Sequence, residues 1–164
     1  MSRYIFLFDM DSTVTRQEIL PTISKKLGMF ERMSSLTEST MRGEIPFKQS
    51  FLQRVELLKD IPVDEVSGLI EKIELNEQLV DFIQRYRNRC YIVTGNLDVW
   101  INKLVKKIGM EGNVFCSKAL VQENYIQDVF SIVDKNAVIS QMVLPFVAVG
   151  DGNNDAEMIE AAEI

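Results

Sequence analysis

The stretch Tyr4-Ile5-Phe6-Leu7-Phe8-Asp9-Met10-Asp11-Ser12-Thr13-Val14-Thr15 decides how the rest of the chain is read. The apolar run 4–8 fits a strand covered on both faces. It leads straight into Asp9 and Asp11, one residue apart. In open α/β sheets, ligands sit in the crevice beyond the carboxyl ends of the strands, which is where these aspartates fall. Residues two apart on an extended backbone point to the same side. Two carboxylates facing one site repel unless a cation or a proton intervenes. The stretch therefore demands a bound metal, a shared proton, or both.

Downstream of this strand the apolar period changes. Ile19, Ile23 and Leu27 recur at helical spacing, with Thr15 placed to cap and Gly28 to stop the helix. Further helices are predicted over 30–41, over 47–59 behind Pro46, and from Val63 behind Pro62, with Val66, Leu69, Ile70 and Ile73 inward. Helix after helix following a single strand is either a long crossover or a small bundle inserted after strand one, covering its carboxyl end as a lid. Alternation then resumes. A helix over 77–86, a strand over 90–93 with an exit loop at Thr94-Gly95-Asn96, and a helix over 98–108 ended by Gly109 are predicted. Runs 114–121 and 125–130, joined at Gln122-Glu123-Asn124, read as a β-hairpin. A short helix over 136–142, a strand over 145–149 and a last helix over 155–162 complete the pattern.

Composition narrows the function classes. The 164 residues are 46% hydrophobic, carry a net charge of −6 and include no histidine. The missing histidine removes Ser-His and Cys-His triads and imidazole zinc sites together. An acidic chain repels nucleic acid and anionic membrane, so neither is expected as a partner. The basic cluster Arg85-Tyr86-Arg87-Asn88-Arg89 reads as a solvated helix end. Cys90 and Cys116 read as small buried hydrophobes in a reducing compartment. Met1-Ser2-Arg3 leads directly into the first strand, so no signal peptide is expected. The absence of any long apolar run points to a soluble cytoplasmic protein, as a monomer or homodimer.

Three apolar runs end in polar groups at one edge of the predicted sheet: Phe8-Asp9-Met10-Asp11, Val93-Thr94-Gly95 and Val149-Gly150-Asp151-Gly152. Lys135 lies between the second and third. Carboxylates from separate strands make an all-oxygen site suited to magnesium, a hard ion that often binds phosphate oxygens. Thr94 offers a hydroxyl, Gly95 a close backbone N–H and Lys135 a point charge. Aspartate, metal, lysine and hydroxyl match what phosphoryl transfer requires, positioning and charge neutralisation around an in-line displacement.

On Asp9-Met10-Asp11-Ser12-Thr13, Val93-Thr94-Gly95, Lys135 and Gly150-Asp151-Gly152-Asn153-Asn154-Asp155, the chain resembles the haloacid dehalogenase-like hydrolases over nearly its whole length. Within that superfamily it is similar to the phosphoserine phosphatase family, on Glu18 and on the run from Met41-Arg42-Gly43 through Phe47 to Arg54-Val55 and Leu57-Leu58-Lys59-Asp60. The resemblance implies an α/β fold. Its Rossmann-like, three-layer core (1–14 and 76–164) would have a mainly parallel sheet and a β-hairpin, with a helical-bundle cap (15–75) inserted after strand one. It implies Asp9 as the nucleophile of an aspartyl-phosphate. Asp11 would protonate the leaving oxygen and then take a proton from water, with a pKa raised by burial and by Asp9.

Magnesium would be held by Asp9, the Asp11 backbone carbonyl and Asp151, with Asp155 orienting the shell. Thr94, Gly95, Lys135 and Asn154 would hold the phosphoryl group, Glu18 the substrate ammonium and Arg54 its carboxylate. Met41 and Phe47 would close the apolar side. The small phosphorylated substrate would place the enzyme in serine biosynthesis. Thr94 stands where the family often has serine, and Asn96-Leu97 where it has a glycine and an aromatic. The family continues with a further strand, to which Ala161-Ala162-Glu163-Ile164 reads as the approach. The alternatives are a phosphatase or phosphotransferase for another small metabolite, or a truncated, inactive relative that only binds ligand.

Overall fold

The computed structural model describes residues 4–164. Met1-Ser2-Arg3, on which the expectation of no signal peptide rests, lies outside the described residues. Strands β1 (Ile5–Phe8), β2 (Cys90–Leu97), β3 (Val114–Gln122), β4 (Tyr125–Ser131) and β5 (Phe146–Val149) form one sheet in the order β4-β3-β2-β1-β5. All pairings are parallel except β3–β4. The doubly covered strand predicted from the opening run is present. Ile5 and Leu7 belong to one apolar cluster with Val93, Val138, Phe146 and Met158. Phe8 joins the opposite cluster with Ile92, Ile83, Trp100 and Leu104. Alternate residues of one strand thus feed two cores, and the fold is three-layered.

Among the described residues eight α-helices surround the sheet: α1 (Ile19–Ser24), α2 (Phe30–Met41), α3 (Phe47–Leu58), α4 (Val63–Glu71), α5 (Glu77–Arg85), α6 (Asp98–Lys107), α7 (Lys135–Ser140) and α8 (Ala156–Glu160). Helices α5 and α6 supply the larger cluster, while α7 and α8 supply the smaller one. Helices α1 to α4 occupy the excursion after β1. Its two ends meet at an antiparallel bridge between Thr15 and Leu75, flanked by Arg16 N–H to Glu74 O (2.9 Å) and Asn76 N–H to Val14 O (2.9 Å).

Thr15 is therefore not the helix cap that the sequence suggests. Its hydroxyl is turned back to the carbonyls of Met10 (3.2 Å) and Gln17 (2.7 Å). Helix α1 also stops at Ser24, short of Leu27, and the chain reverses at Gly28 with φ +69°. Helix α4 is fastened to the core: Ser67 Oγ donates to Asn102 Oδ1 (2.6 Å) and Lys107 Nζ to Glu71 O (3.0 Å).

The hairpin is tighter than its sequence implies, a two-residue turn at Glu123 (φ +50°) and Asn124 (φ +70°). Left-handed φ at both central positions matches the twist of the flanking strands. Asn124 also receives the first N–H groups of α4, Val63 at its carbonyl (2.7 Å) and Asp64 at its side chain (3.1 Å). Beyond α8, Glu163 N–H donates to Phe146 O (3.1 Å) and Ala148 N–H to Ile164 O (3.2 Å), so residues 163–164 lie alongside β5. Among the described residues no helix is long and apolar enough to cross a membrane.

Leu104 of α6 is fully buried, whereas Val143 is 96% exposed. Leu104→Ala is expected to lower unfolding stability by about 2–5 kcal/mol, and Val143→Ala by less than about 0.5 kcal/mol. Urea unfolding of both variants at constant m-value checks this.

Candidate active site

The site lies where β1, β2 and β5 end and α1 to α3 overhang them. Asp9 leaves β1 with its N–H bonded to Val149 O of β5 (2.8 Å). Its Oδ1 accepts from Lys135 Nζ at 2.7 Å. Lys135, at the start of α7, also pairs with Asp155 Oδ1. The other Asp155 oxygen accepts from the N–H groups of Asp151 (3.1 Å) and Gly152 (3.0 Å). This carboxylate therefore folds the β5 exit loop around itself. Gly150 has to be glycine for the same reason, because a Cβ there would lie 2.5 Å from the Asp155 carboxyl carbon. Oxygens of Asp9, Asp151 and Asp155 lie within 4.8 Å of one another and could hold a metal ion.

Asp11 is held from two directions. Ile19 N–H, at the first turn of α1, donates to its Oδ1 (2.8 Å), and Asn96 Nδ2 donates to its Oδ2 (2.6 Å). Between them Ser12 takes φ +55° and its hydroxyl donates to Glu18 Oε1 (2.9 Å). Asn96 reaches inward because β2 is bulged. Val93 pairs with Phe115 and Leu97 with Ser117, so Thr94, Gly95 and Asn96 stand opposite the single residue Cys116. What the sequence presents as an exit loop is this bulge, which re-aims side chains toward the strand ends.

Glu18, Met41, Phe47, Arg54, Gly95, Asp151 and Asn154 share one cavity with Asp9 and Asp11. Thr94 and Lys135 do not reach its wall: both are buried, Thr94 behind Asn96 and Lys135 behind Asp9. Phe47 closes over Gly95 so closely that a Cβ at 95 would collide with its ring. Arg54 is 7% exposed, its guanidinium 5.8 Å from the Phe47 ring centre and 5.7 Å from that of Phe51. Its Nε has no hydrogen-bond partner among the described residues.

The sequence reading missed Thr37, Thr40 and Asn96, which also line the cavity. A signal existed for each. Thr37 precedes Thr40 and Met41 by three and four positions on α2, the spacing of one helix face, and Asn96 follows Thr94 at strand spacing.

Carboxylates outnumber cations here, and burial sharpens the imbalance. Burial pushes the Asp9 carboxyl up to about 7, with Lys135 pulling against it and Asp155 and Asp11 reinforcing it. Burial and then Glu18 push Asp11 up to about 7, opposed by the Ile19 N–H and Arg54. Glu18 and Asp151 are raised as well, each chiefly by burial. Burial alone would lower the Lys135 ammonium, but Asp9 and Asp155 outweigh it and raise its pKa. Burial lowers Arg54 against the pull of Asp11 and Glu18. The cluster thus stores unfavourable negative charge that a cation or a proton relieves.

A Rossmann-like sheet with an acid-lined crevice beyond its strands, roofed by helices inserted after strand one, defines an α/β protein whose site chemistry is carried by carboxylates. The chain belongs to the haloacid dehalogenase-like hydrolase family, whose match spans residues 5–163. It is 33% identical to the phosphoserine phosphatase of Methanocaldococcus jannaschii, covering 96% of this chain and 82% of that protein. A phospho-aspartyl intermediate analogue of phosphoserine phosphatase superimposes with TM-score 0.81 at 31% identity, covering 100% of this chain and 85% of the other. A substrate-bound phosphoserine phosphatase gives TM-score 0.80 at 29% identity, again covering 100% and 85%.

Raised carboxyl pKa values have a definite consequence for stability. The folded state holds protons that the unfolded chain has already released, from the ordinary value of 3.8 up to about 7. Folding is therefore favoured at the acid end of that window and weakened as pH rises through it. Metal-free protein is expected to melt at a lower temperature at pH 8 than at pH 6, and Asp9→Asn to flatten that difference. Melting in a chelator across this range checks both.

Proposed function

We propose that the chain is a magnesium-dependent phosphoserine phosphatase that works through an aspartyl-phosphate on Asp9. The observation that carries the substrate choice is Arg54. A buried guanidinium with an unpartnered Nε is costly unless a ligand completes it, and it shares a cavity with Asp9 and Asp11. A carboxylate is the planar, two-pronged partner that a guanidinium fits best. Glu18 in the same cavity suits an ammonium. A small molecule with a phosphate, a carboxylate and an ammonium is phosphoserine, the substrate class named for the relatives above.

The donor set fits magnesium: carboxylate oxygens with no sulfur or imidazole among them. Asp9, Asp151 and the Asp11 carbonyl would hold the ion, with Asp155 setting the loop around it. When bound, the ion neutralises phosphate charge. The remaining chemistry belongs to the side chains. Asp9 engages Lys135 through one oxygen only, leaving the other for attack on phosphorus. Asp11 in its protonated form gives its proton to the leaving serine oxygen and then accepts one from water. Gly95 and Asn154 on the cavity wall would hold the phosphoryl oxygens, while Thr94 and Lys135 behind it would act through the Asn96 and Asp9 side chains they bond.

In this reading residues 15–75 act as the cap and 1–14 with 76–164 as the catalytic core. The protein works in the cytoplasm as a monomer or homodimer, at the serine-releasing step of serine biosynthesis.

Phosphate release from phosphoserine is expected to require magnesium and to fall by roughly 10³-fold or more in Asp9→Asn. Equal release by the variant would refute the mechanism. Arg54→Ala is expected to raise KM for phosphoserine about 10- to 100-fold, the worth of one charge-assisted bond. KM for phosphoethanolamine, which lacks the carboxylate, should change far less.

A further inference from the structure

We infer that Asn96 is a positioning residue for the proton transfer to the leaving group, a reading that rests on the proposed phosphatase chemistry and adds a part to it. The side chain is 5% exposed, lies on the cavity wall and joins two groups that the mechanism needs. Its Nδ2 donates to Asp11 Oδ2 at 2.6 Å and to Thr94 Oγ1 at 3.3 Å. Its backbone N–H donates to the same Thr94 oxygen at 3.2 Å.

The hydrogen-bond capacities give these contacts their meaning. A carboxyl group rotates freely about its last torsion unless donors fix it. Asp11 has one donor on each oxygen, Ile19 N–H on Oδ1 and Asn96 on Oδ2. The two come from different elements, α1 and β2, so the carboxyl plane is set by the roof and the sheet together. Remove Asn96 and one donor remains, leaving the plane free to swing about the Ile19 bond.

Thr94 is governed by the same amide. A hydroxyl has two acceptor lone pairs and one proton. Asn96 occupies both acceptor positions, and no protein acceptor for the Thr94 proton is found among the described residues. Asn96 thereby ties the buried Thr94 hydroxyl to the Asp11 carboxyl. One amide on the β2 bulge therefore fixes two neighbours at once.

The step most sensitive to this arrangement is the first. Asp9 forms a bond to phosphorus while the phosphorus–oxygen bond of the leaving group breaks. The electron pair goes to the leaving oxygen, which takes the proton from Asp11. A poor leaving group such as an alkoxide needs that proton in flight, whereas p-nitrophenolate leaves without it. A misplaced Asp11 therefore harms alkyl phosphates selectively.

The test is kcat/KM, which reports this first transfer, for phosphoserine, glycerol phosphate and p-nitrophenyl phosphate. Wild type, Asn96→Gly and Asn96→Ser are compared, with thermal melting as the check on folding. Wild-type turnover of any of these, lost in Asp9→Asn, tests the phosphatase reading separately from this one. The expected result for Asn96→Gly is a drop in the alkyl-to-aryl ratio of kcat/KM by about tenfold or more, with KM changing less than kcat. Asn96→Ser, which keeps a short donor, should recover part of the ratio. It also serves alone if the glycine variant does not fold. An equal loss on aryl and alkyl substrates, or no loss, would overturn the assignment and leave Asn96 as a clasp between sheet and roof.

Discussion

Everything at the strand ends depends on carboxylates being crowded into a space with too few cations. Asp9, Asp11, Asp151 and Asp155 are gathered by β1 and by the loop after β5, and Lys135 bridges two of them, Asp9 and Asp155. Like charges at such spacing stay together only because the surroundings hold them: backbone N–H groups on Asp155 and Asp11, the Asn96 amide, and a sheet buried on both faces. The strain is electrostatic and local, and it is poised to be relieved by a positive ion together with a phosphate. A site that is uncomfortable when empty binds such a pair with less reorganisation than one that must first assemble.

The roof over this cluster is not one uniform lid. Helix α4 is bonded to α6 and to the Asn124 turn, so it moves with the core. Helices α2 and α3 carry Met41, Phe47 and Arg54, and they meet the sheet side at the contact of Phe47 with Gly95. The substrate-facing part of the excursion is thus its less anchored part, as expected for elements that must admit and release a ligand.

Much of this was legible in the chain because it follows local periodicity. The shift from period two to helical spacing at Glu18, the hairpin around Glu123 and Asn124, and the polar residues closing three apolar runs all correspond to elements in the fold. The bulge in β2 was not legible, since nothing local distinguishes Thr94-Gly95-Asn96 as bulged strand from the same residues as a loop; the pairing with β3 decides it. The role of Asn96 was hidden for a related reason. It acts on Asp11, far away in the chain, and spacing along one element cannot name a partner on another. Thr15 illustrates a third limit: a residue able to cap a helix was drawn instead into a bridge with Leu75, sixty positions on, because the returning chain offers a full backbone pairing.

That bridge has an evolutionary corollary. Where a long detour leaves and rejoins a scaffold at two touching points, its length is weakly constrained by closure. Strand registers on either side of Thr15 and Leu75 would tolerate a longer or shorter α2 and α3, provided the turn that brings Ile19 to Asp11 and the attachment of α4 are kept. Substrate preference can then diversify through those two helices, while the acidic centre beneath is retained.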